Sequence, residues 1–344
     1  MNLARVRPCP ARGIELRALY FPAWRFMMLR LFCLTALTLS ALSLTQAQTR
    51  RHAASYTERG NDYYAKGEVD LALADFDTAI MLDPTYAGAY YNRAIARQAK
   101  GDLAAALGDL DQGIRLDPRF AAAYVNRSYL RYLRGEMDEA LSDSTRAIEL
   151  DPRLLEAYNN RGIVREIQGD FVGAIEDFDH ALKLKPHDTA GQPDRRRAEV
   201  YNNRGVARYY KGDLDGAIQD HTSAIKLDAR FCEAYSDRGA ARQKKGDLEG
   251  ALADYTKAIE INPHASGAYY NRASVWLAQG DLRKSVADYT KAIELSPALA
   301  DAYYNRALVR QKLGDVNGAL ADYGKAIEIN PGLADARINR GGGK

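Results

Sequence analysis

Residues 89–118 read AYYNRAIARQAKGDLAAALGDLDQGIRLDP, and this stretch decides the fold. On both sides of Gly101, small and apolar residues recur every three or four positions, which is the spacing of one face of an α-helix. A glycine can take the left-handed conformation just past a helix end, and the acidic residue after it favours the start of a new helix. Pro118 then prevents the second helix from continuing. The stretch therefore predicts a helical hairpin, two short helices joined by a tight turn.

The same pattern returns along the chain with a period of 34 residues. Its markers are Pro84, Pro118, Pro152 and Pro186, then Ala229 in place of a proline, then Pro263, Pro297 and Pro331. Eight full repeats begin at Ala53, Ala87, Ala121, Leu155, Ala198, Cys232, Ser266 and Ala300. Positions are counted from these residues, so the turn glycine is position 15 and the proline is position 32. The first helix is expected to bury positions 4, 8 and 11 or 12 on one face.

The repeats also divide the chain into segments. These are a leader at 1–47, repeats one to four at 53–188, an insertion at 189–197, repeats five to eight at 198–333, and a partial ninth first helix with a tail at 334–344. The insertion TAGQPDRRR accounts for the longer step between Pro186 and Ala229. It is interpreted as a surface loop. One alternative is that Pro193 and Asp194 start a longer first helix for repeat five. Another is a hinge or docking spur that carries Arg195, Arg196 and Arg197.

The repeat resembles the tetratricopeptide-repeat (TPR) family, whose hairpins place an aromatic residue at position 4, a small residue at 8, alanine at 20 and an aromatic residue at 24. Position 4 is tyrosine in all eight repeats here, for example Tyr90 and Tyr158, and position 20 is alanine in seven of them. The resemblance spans residues 53–341. It implies an all-α fold, a right-handed α–α superhelix (TPR solenoid) of eight helical hairpins plus a terminal helix.

Two positions depart from the family pattern together. Position 7, usually leucine in the family, is arginine, and position 23 is aspartate. The pairs are Arg59 and Asp75, Arg93 and Asp109, Arg127 and Asp143, Arg161 and Asp177, Arg204 and Asp220, Arg238 and Asp254, Arg272 and Asp288, and Arg306 and Asp322. Because both changes occur in every repeat, they predict a structural ladder of ion pairs, within repeats or between neighbours. The alternative is that both side chains face water.

By resemblance, positions 2, 5, 6, 9, 12 and 13 of the first helices line a peptide-binding groove. Position 6 is a column of amides that can donate to and accept from a peptide backbone: Asn92, Asn126, Asn160, Asn203, Asn271 and Asn305. Beside them are the groove tyrosines Tyr91, Tyr132, Tyr209, Tyr270 and Tyr304, a residue type suited to recognition. Glu58 and Asp237 interrupt the column. The alternative is that the asparagines serve packing between repeats.

Composition excludes other classes of function. The formal net charge is +3, but residues 1–47 hold six arginines and one acid, so the repeats themselves are close to neutral. A near-neutral body argues against nucleic acid as a partner. The five histidines show no metal-ligand spacing and no catalytic motif is present. The sequence thus predicts a scaffold with no catalytic residues, metal or cofactor that binds a protein or peptide. The alternative is a scaffold that self-associates through its C-terminal end.

The leader has the three parts of a secretory signal peptide. Arg25 and Arg30 precede an uncharged run from Leu31 to Leu44, and Ala47 offers a cleavage site before Gln48. The run is shorter than the ~20 residues that span a bilayer as a helix. Cleavage would leave Cys232 without a disulfide partner. We expect an exported protein, periplasmic or secreted, with no stable membrane span after removal of the leader; an uncleaved N-terminal membrane anchor is the alternative.

Overall fold

The computed structural model describes residues 48–184 and 194–333, and within these ranges the chain forms sixteen α-helices and no strands. The helices are α1 (48–65), α2 (Val69–Leu82), α3 (Ala87–Ala99), α4 (Leu103–Leu116), α5 (Ala121–Leu133), α6 (Met137–Leu150), α7 (Leu155–Ile167), α8 (Phe171–Lys183), α9 (Arg195–Lys211), α10 (Leu214–Leu227), α11 (Cys232–Lys245), α12 (Leu248–Ile261), α13 (Ser266–Ala278), α14 (Leu282–Leu295), α15 (Ala300–Lys312) and α16 (Val316–Ile329). The predicted all-α fold of eight hairpins is confirmed. The predicted signal peptide, most of the insertion and the ninth first helix lie outside the described residues.

The turns form for the reasons that the sequence suggested. The position-15 glycines have positive φ, for example 81° at Gly101 and 92° at Gly212, which other residues rarely adopt. The following acid opens the second helix, and an aspartate there accepts a hydrogen bond from the backbone N–H three residues on, as Asp170 does from Gly173 at 2.9 Å. Glutamate at the same place, in Glu136, makes no such bond.

The hairpins form two units. The first extends to Asp117 and contains α1 to α4; the second begins at Pro118 and contains α5 to α16. In each unit the second helix of a hairpin packs on the first helix of the next hairpin. In the second unit the first helices α5, α7, α9, α11 and α13 also contact one another in succession, so they form a continuous layer. We call the side chains at positions 2, 5, 6, 9, 12 and 13 of these helices and of α15, the last first helix of the unit, the first-helix face.

In six of the hairpins a ring at position 24 packs against a small residue at position 8. A Cβ placed on Gly162 would lie 2.6 Å from the ring of Phe178, so the ring approaches this helix more closely than a side chain at 162 would allow. In repeats seven and eight the ring of Tyr289 or Tyr323 clusters with an alanine instead.

The apolar stripe differs from the expectation in two respects. The position-4 tyrosines are half-buried, and from the second repeat on the buried residue beside them is position 3, as in Ala89 and Val200. Farther along the helix, the buried position is 10, as in Leu130 and Val164, whereas position 11 is arginine in six repeats and position 12 varies. The position-11 arginine instead forms an ion pair with the buried aspartate at position 23, as described below.

Candidate functional site

In six of the eight repeats the position-23 aspartate pairs with two arginines. Asp177 is 1% exposed and accepts from Nε and Nη2 of Arg161 at 2.9 and 2.6 Å. It also accepts from Nη1 of Arg165 at 2.8 Å. A carboxylate with three charge-assisted donors is well satisfied although it is buried.

This arrangement repeats along the chain. The position-7 arginine and the position-23 aspartate approach to 2.5–2.8 Å in all eight repeats. The second arginine, at position 11, was not expected from the sequence. It is Arg97, Arg131, Arg165, Arg208, Arg242 and Arg310, each 2.7–2.9 Å from its aspartate. The signal that could have found it is the spacing of four between positions 7 and 11, which places both side chains on one side of the helix.

Five of the position-7 arginines also reach the preceding repeat of their own unit: Arg93, Arg204, Arg238, Arg272 and Arg306. Nη1 of Arg93 donates to Asp77 at 2.7 Å, and Nη1 of Arg306 donates to the hydroxyl of Thr290 at 3.0 Å. Each position-7 guanidinium group lies over the position-4 tyrosine of its own helix, 4.9–5.8 Å from the ring centre. The bond to Asp288 raises the pKa of Arg272. The five arginines therefore connect both helices of their repeat with the preceding repeat.

The position-6 asparagines of the second unit are half-buried on the first-helix face. Nδ2 of Asn160 donates to the Val125 carbonyl at 3.1 Å, Nδ2 of Asn203 to Asn159 at 3.0 Å, Nδ2 of Asn305 to Tyr270 at 2.9 Å and Nδ2 of Asn126 to Ala122 at 3.0 Å. Three of these partners belong to the preceding repeat, so the amides contribute to packing. Asn271 has no hydrogen-bond partner within the described ranges and lines a cavity. Asn92 occupies the same position in α3 of the first unit.

The groove tyrosines are half-buried and divide into two groups. Tyr270 and Tyr304 pack against the core rings of Tyr289 and Tyr323, with centroids 5.6 and 5.9 Å apart. Tyr132 and Tyr209 instead contact other tyrosines of the face, Tyr129 at 6.2 Å and Tyr210 at 5.4 Å. Tyr91 lies in α3 of the first unit. The rings of Tyr132 and Tyr209, both at position 12, thus contact other side chains of the first-helix face, whereas the rings of Tyr270 and Tyr304 contact the core.

A polar network departs from the repeat pattern in the middle of the second unit. His221 stands at position 24, is fully buried, and donates from Nδ1 to Asn202 Oδ1 at 2.8 Å. Asn202 in turn donates to Asp237 at 2.9 Å. Burial raises the pKa of Asp237, and burial together with the charge of Asp237 raises the pKa of Glu166 to about 7. Asp237, Asn202 and Asn271 line a cavity of about 500 Å³ that also includes Glu233.

His221 is expected to make stability depend on pH. Its Nε2 has no partner among the described residues, and burial lowers its pKa to about 4 from the ordinary value of 6.5. The unfolded chain therefore binds the proton more tightly, and stability that is present above pH 6.5 is lost as the pH falls towards 4. Between pH 7.5 and 5 the wild type should lose about 2 kcal/mol more free energy of unfolding than His221→Phe.

The phenylalanine fits because the same ring packs on glycine in the pair of Gly162 and Phe178. Urea denaturation at the two pH values measures the difference, with exposed His264→Gln as the control that should follow the wild type. Parallel loss of stability in wild type and His221→Phe would contradict the assignment.

Family models described as TPR repeat match residues 60–101 and 275–314, and models described as tetratricopeptide repeat match 91–154, 155–188, 232–265 and 300–333. The ranges 155–188, 232–265 and 300–333 each contain one hairpin, and the others overlap neighbouring hairpins. The chain belongs to the TPR family. It is a protein-interaction scaffold of that family. None of the curated proteins matches the sequence.

Solved TPR structures share the fold. The crystal structure of the APC/C hetero-tetramer Cut9–Hcn1 superposes with a TM-score of 0.62 at 16% identity, covering 80% of this chain and 52% of that chain. This TPR chain therefore spans about half the length of that relative. A tetratricopeptide repeat protein from Parabacteroides merdae gives a TM-score of 0.55 at 19% identity, with 76% and 97% covered. At these identities the likeness concerns the fold alone.

Two further observations concern the described part of this TPR chain. In residues 48–184 and 194–333 no helix is both long and apolar enough to cross a membrane. Over the same ranges no three His, Cys, Asp or Glu side chains converge on a point where they would share a metal ion.

Proposed function

We propose that this TPR protein binds an extended polypeptide segment along the first-helix face of its second unit. The observation that supports the proposal is the column of half-buried amides and tyrosines that successive first helices bring onto one continuous layer. An extended chain presents backbone N–H and C=O groups at regular intervals, and carboxamides can pair with both.

The position-6 amides retain hydrogen-bonding capacity for such a ligand. Each amide has two N–H donors and one accepting oxygen, and the internal bond of Asn160, Asn203 or Asn305 uses one donor. Asn271 uses none within the described ranges. Contacts of this kind contribute about 0.5–1.5 kcal/mol each, so several of them with a few aromatic contacts support an affinity on the order of micromolar.

Selection of random 12-residue peptides displayed on phage by the immobilised full chain tests the proposal. We expect a reproducible set of peptides whose affinity for Asn160→Ala/Asn203→Ala/Asn271→Ala is at least about tenfold lower, since three amide contacts are lost. Gln219→Ala, an exposed amide in the second helix α10, is the matched control and should bind like the wild type. Circular dichroism establishes that each variant is folded.

Two outcomes would contradict the proposal. One is that no peptide is enriched. The other is that the triple variant binds the enriched peptides as well as Gln219→Ala does, because binding would then occur away from the first-helix face. Light scattering of the same samples shows whether the chain associates with itself instead.

A further inference from the structure

The first-helix face of the second unit carries an apolar ridge. Leu133, Ile167 and Tyr210 occupy position 13 in three successive repeats, on helices α5, α7 and α9. Their exposed fractions are 47%, 53% and 61%. Position 13 in the following repeats is lysine or alanine, so the ridge is confined to these three helices. Large apolar side chains exposed side by side mark an interaction surface more often than solitary ones do.

The ridge is supported by rigid aromatic neighbours. The ring of Tyr210 stacks on Phe171 at 5.7 Å and meets the ring of Tyr209 edge-on at 5.4 Å. At the other end, Tyr132 contacts Tyr129 at 6.2 Å. Tyr210 is 61% exposed although its ring has these two neighbours. Tyrosines held in this way lose little entropy when a ligand covers them.

The charge of the face indicates what covers the ridge. Positions 2, 5, 6, 9, 12 and 13 of the second unit hold six acidic residues and two lysines. The acids are Glu156, Glu166, Glu199, Glu233, Asp237 and Asp301, and the lysines are Lys244 and Lys312. Glu156 and Glu199 pair with Arg196 and Arg195. The rest of the face therefore keeps an excess of negative charge that a basic partner would neutralise.

Glu166 lies beside the ridge, at position 12 between Tyr132 and Tyr209 in the succession of repeats. It makes no ion pair within the described ranges, and the nearby charge that acts on it is that of Asp237. Partial burial without a cation leaves this carboxyl with a pKa of about 7. A lysine or arginine beside it would stabilise the ionised carboxylate in a place where the protein supplies no cation.

We propose that the face binds an extended segment of a partner protein that places a lysine or arginine against Glu166 and apolar side chains on the ridge of Leu133, Ile167 and Tyr210. This inference rests on the proposed function, because it specifies the partner for the same face. The basic residue gives the segment its register along the first helices. The ridge holds its apolar side chains on the three helices α5, α7 and α9.

The composition of the peptides selected by the full chain tests this inference. We expect lysine or arginine to be enriched at one position, with leucine, phenylalanine or tyrosine nearby. One such peptide is then made with lysine and, in a second version, with norleucine at that position. Binding of both to wild type and Glu166→Gln is measured by fluorescence anisotropy. Glu176→Gln, an exposed glutamate in the second helix of the same repeat, is the matched control.

The lysine peptide should lose about tenfold in affinity on Glu166→Gln and remain unchanged on Glu176→Gln, whereas the norleucine peptide should not distinguish the variants. Ile167→Ser/Tyr210→Ser should weaken both peptides. Because both side chains are more than half exposed, the double variant should stay folded and lose only about 1 kcal/mol of stability through the ring contacts of Tyr210. Enriched peptides that depend on the asparagines but carry no basic residue, or equal effects of Glu166→Gln on both versions, overturn this inference while the proposed function stands. Absence of any enriched peptide overturns both.

Discussion

Asp177→Asn should reduce the free energy of unfolding by about 3–5 kcal/mol. The change removes the charge between two arginines and leaves the shape of the side chain intact. Asp177 is 1% exposed, and the side chains of Arg161 and Arg165 are 17% and 28% exposed. Both cations would remain partly buried without their counter-ion, and an amide offers one oxygen where the carboxylate accepts three bonds. Urea denaturation with linear extrapolation measures the loss.

A surface pair provides the control for this prediction. Asp70 is paired with Lys100, but its side chain is 83% exposed, so Asp70→Asn should cost less than about 1 kcal/mol. Similar losses for the two variants would show that the buried aspartate is no more important than a solvated one.

A triple variant separates the cost of stranded charges from the net contribution of the ladder. Arg161→Leu/Arg165→Met/Asp177→Leu removes all three charges and restores the leucine that the family usually has at position 7. Replacing a buried ion network by apolar side chains is often close to neutral. We therefore expect this variant to recover most of the stability that Asp177→Asn loses.

The sequence could predict the hairpins because their ends are fixed by local chemistry. A glycine with positive φ and an acid that caps the next helix act within a few residues, so a short window contains the whole signal. The pairing of positions 7 and 23 was also predictable, since the two departures recur together. The signal peptide, the first part of the insertion and the ninth helix lie outside the described residues and stay predictions. The end of the insertion, Arg195 to Arg197, forms the first turn of α9 with Asp194 as its cap, so this part is helix and not surface loop.

Contacts between repeats were harder to predict. Arg93 reaches Asp77, and Asn160 reaches Val125, only because of the angle at which one hairpin stacks on the next. That angle arises from packing over the whole interface and has no short sequence signal. The second arginine at position 11 was missed for a different reason. Position 11 lies on the face of the helix that was expected to be apolar. Its arginine therefore resembles a variation of an apolar position and not a partner of the aspartate.

The polar network of His221, Asn202 and Asp237 could have been predicted by comparing the residues at each position across the repeats. His221 departs from the usual ring at position 24, Asp237 from asparagine at position 6, and Asn202 bonds to both. Each departure alone resembles ordinary variation. Compensating departures in adjacent repeats mark groups that contact one another, because a buried polar atom requires a partner.

Phe178→Ala should lower the free energy of unfolding by about 3–5 kcal/mol. The ring fills the space over Gly162, and neither Gly162 nor the introduced alanine has a side chain large enough to fill it. Phe178 is fully buried and packs in a cluster with Ala174, Ala181 and Val200. The loss should appear in urea denaturation, with Val172→Ala as the control. Val172 lies in the same helix but is 53% exposed, so its truncation should cost far less.

A swap within the hairpin tests whether ring and glycine depend on one another. Gly162→Ala alone should destabilise by about 1–3 kcal/mol although alanine favours helices, since its Cβ would lie 2.6 Å from the ring. Gly162→Ala/Phe178→Leu recreates the buried pair of Ala94 and Leu110 in the second repeat. The double variant should therefore cost less than the sum of Gly162→Ala and Phe178→Leu. Additive losses would mean that the small residue at position 8 is set by something other than the ring at position 24, and the packing rule for this solenoid would need a different origin.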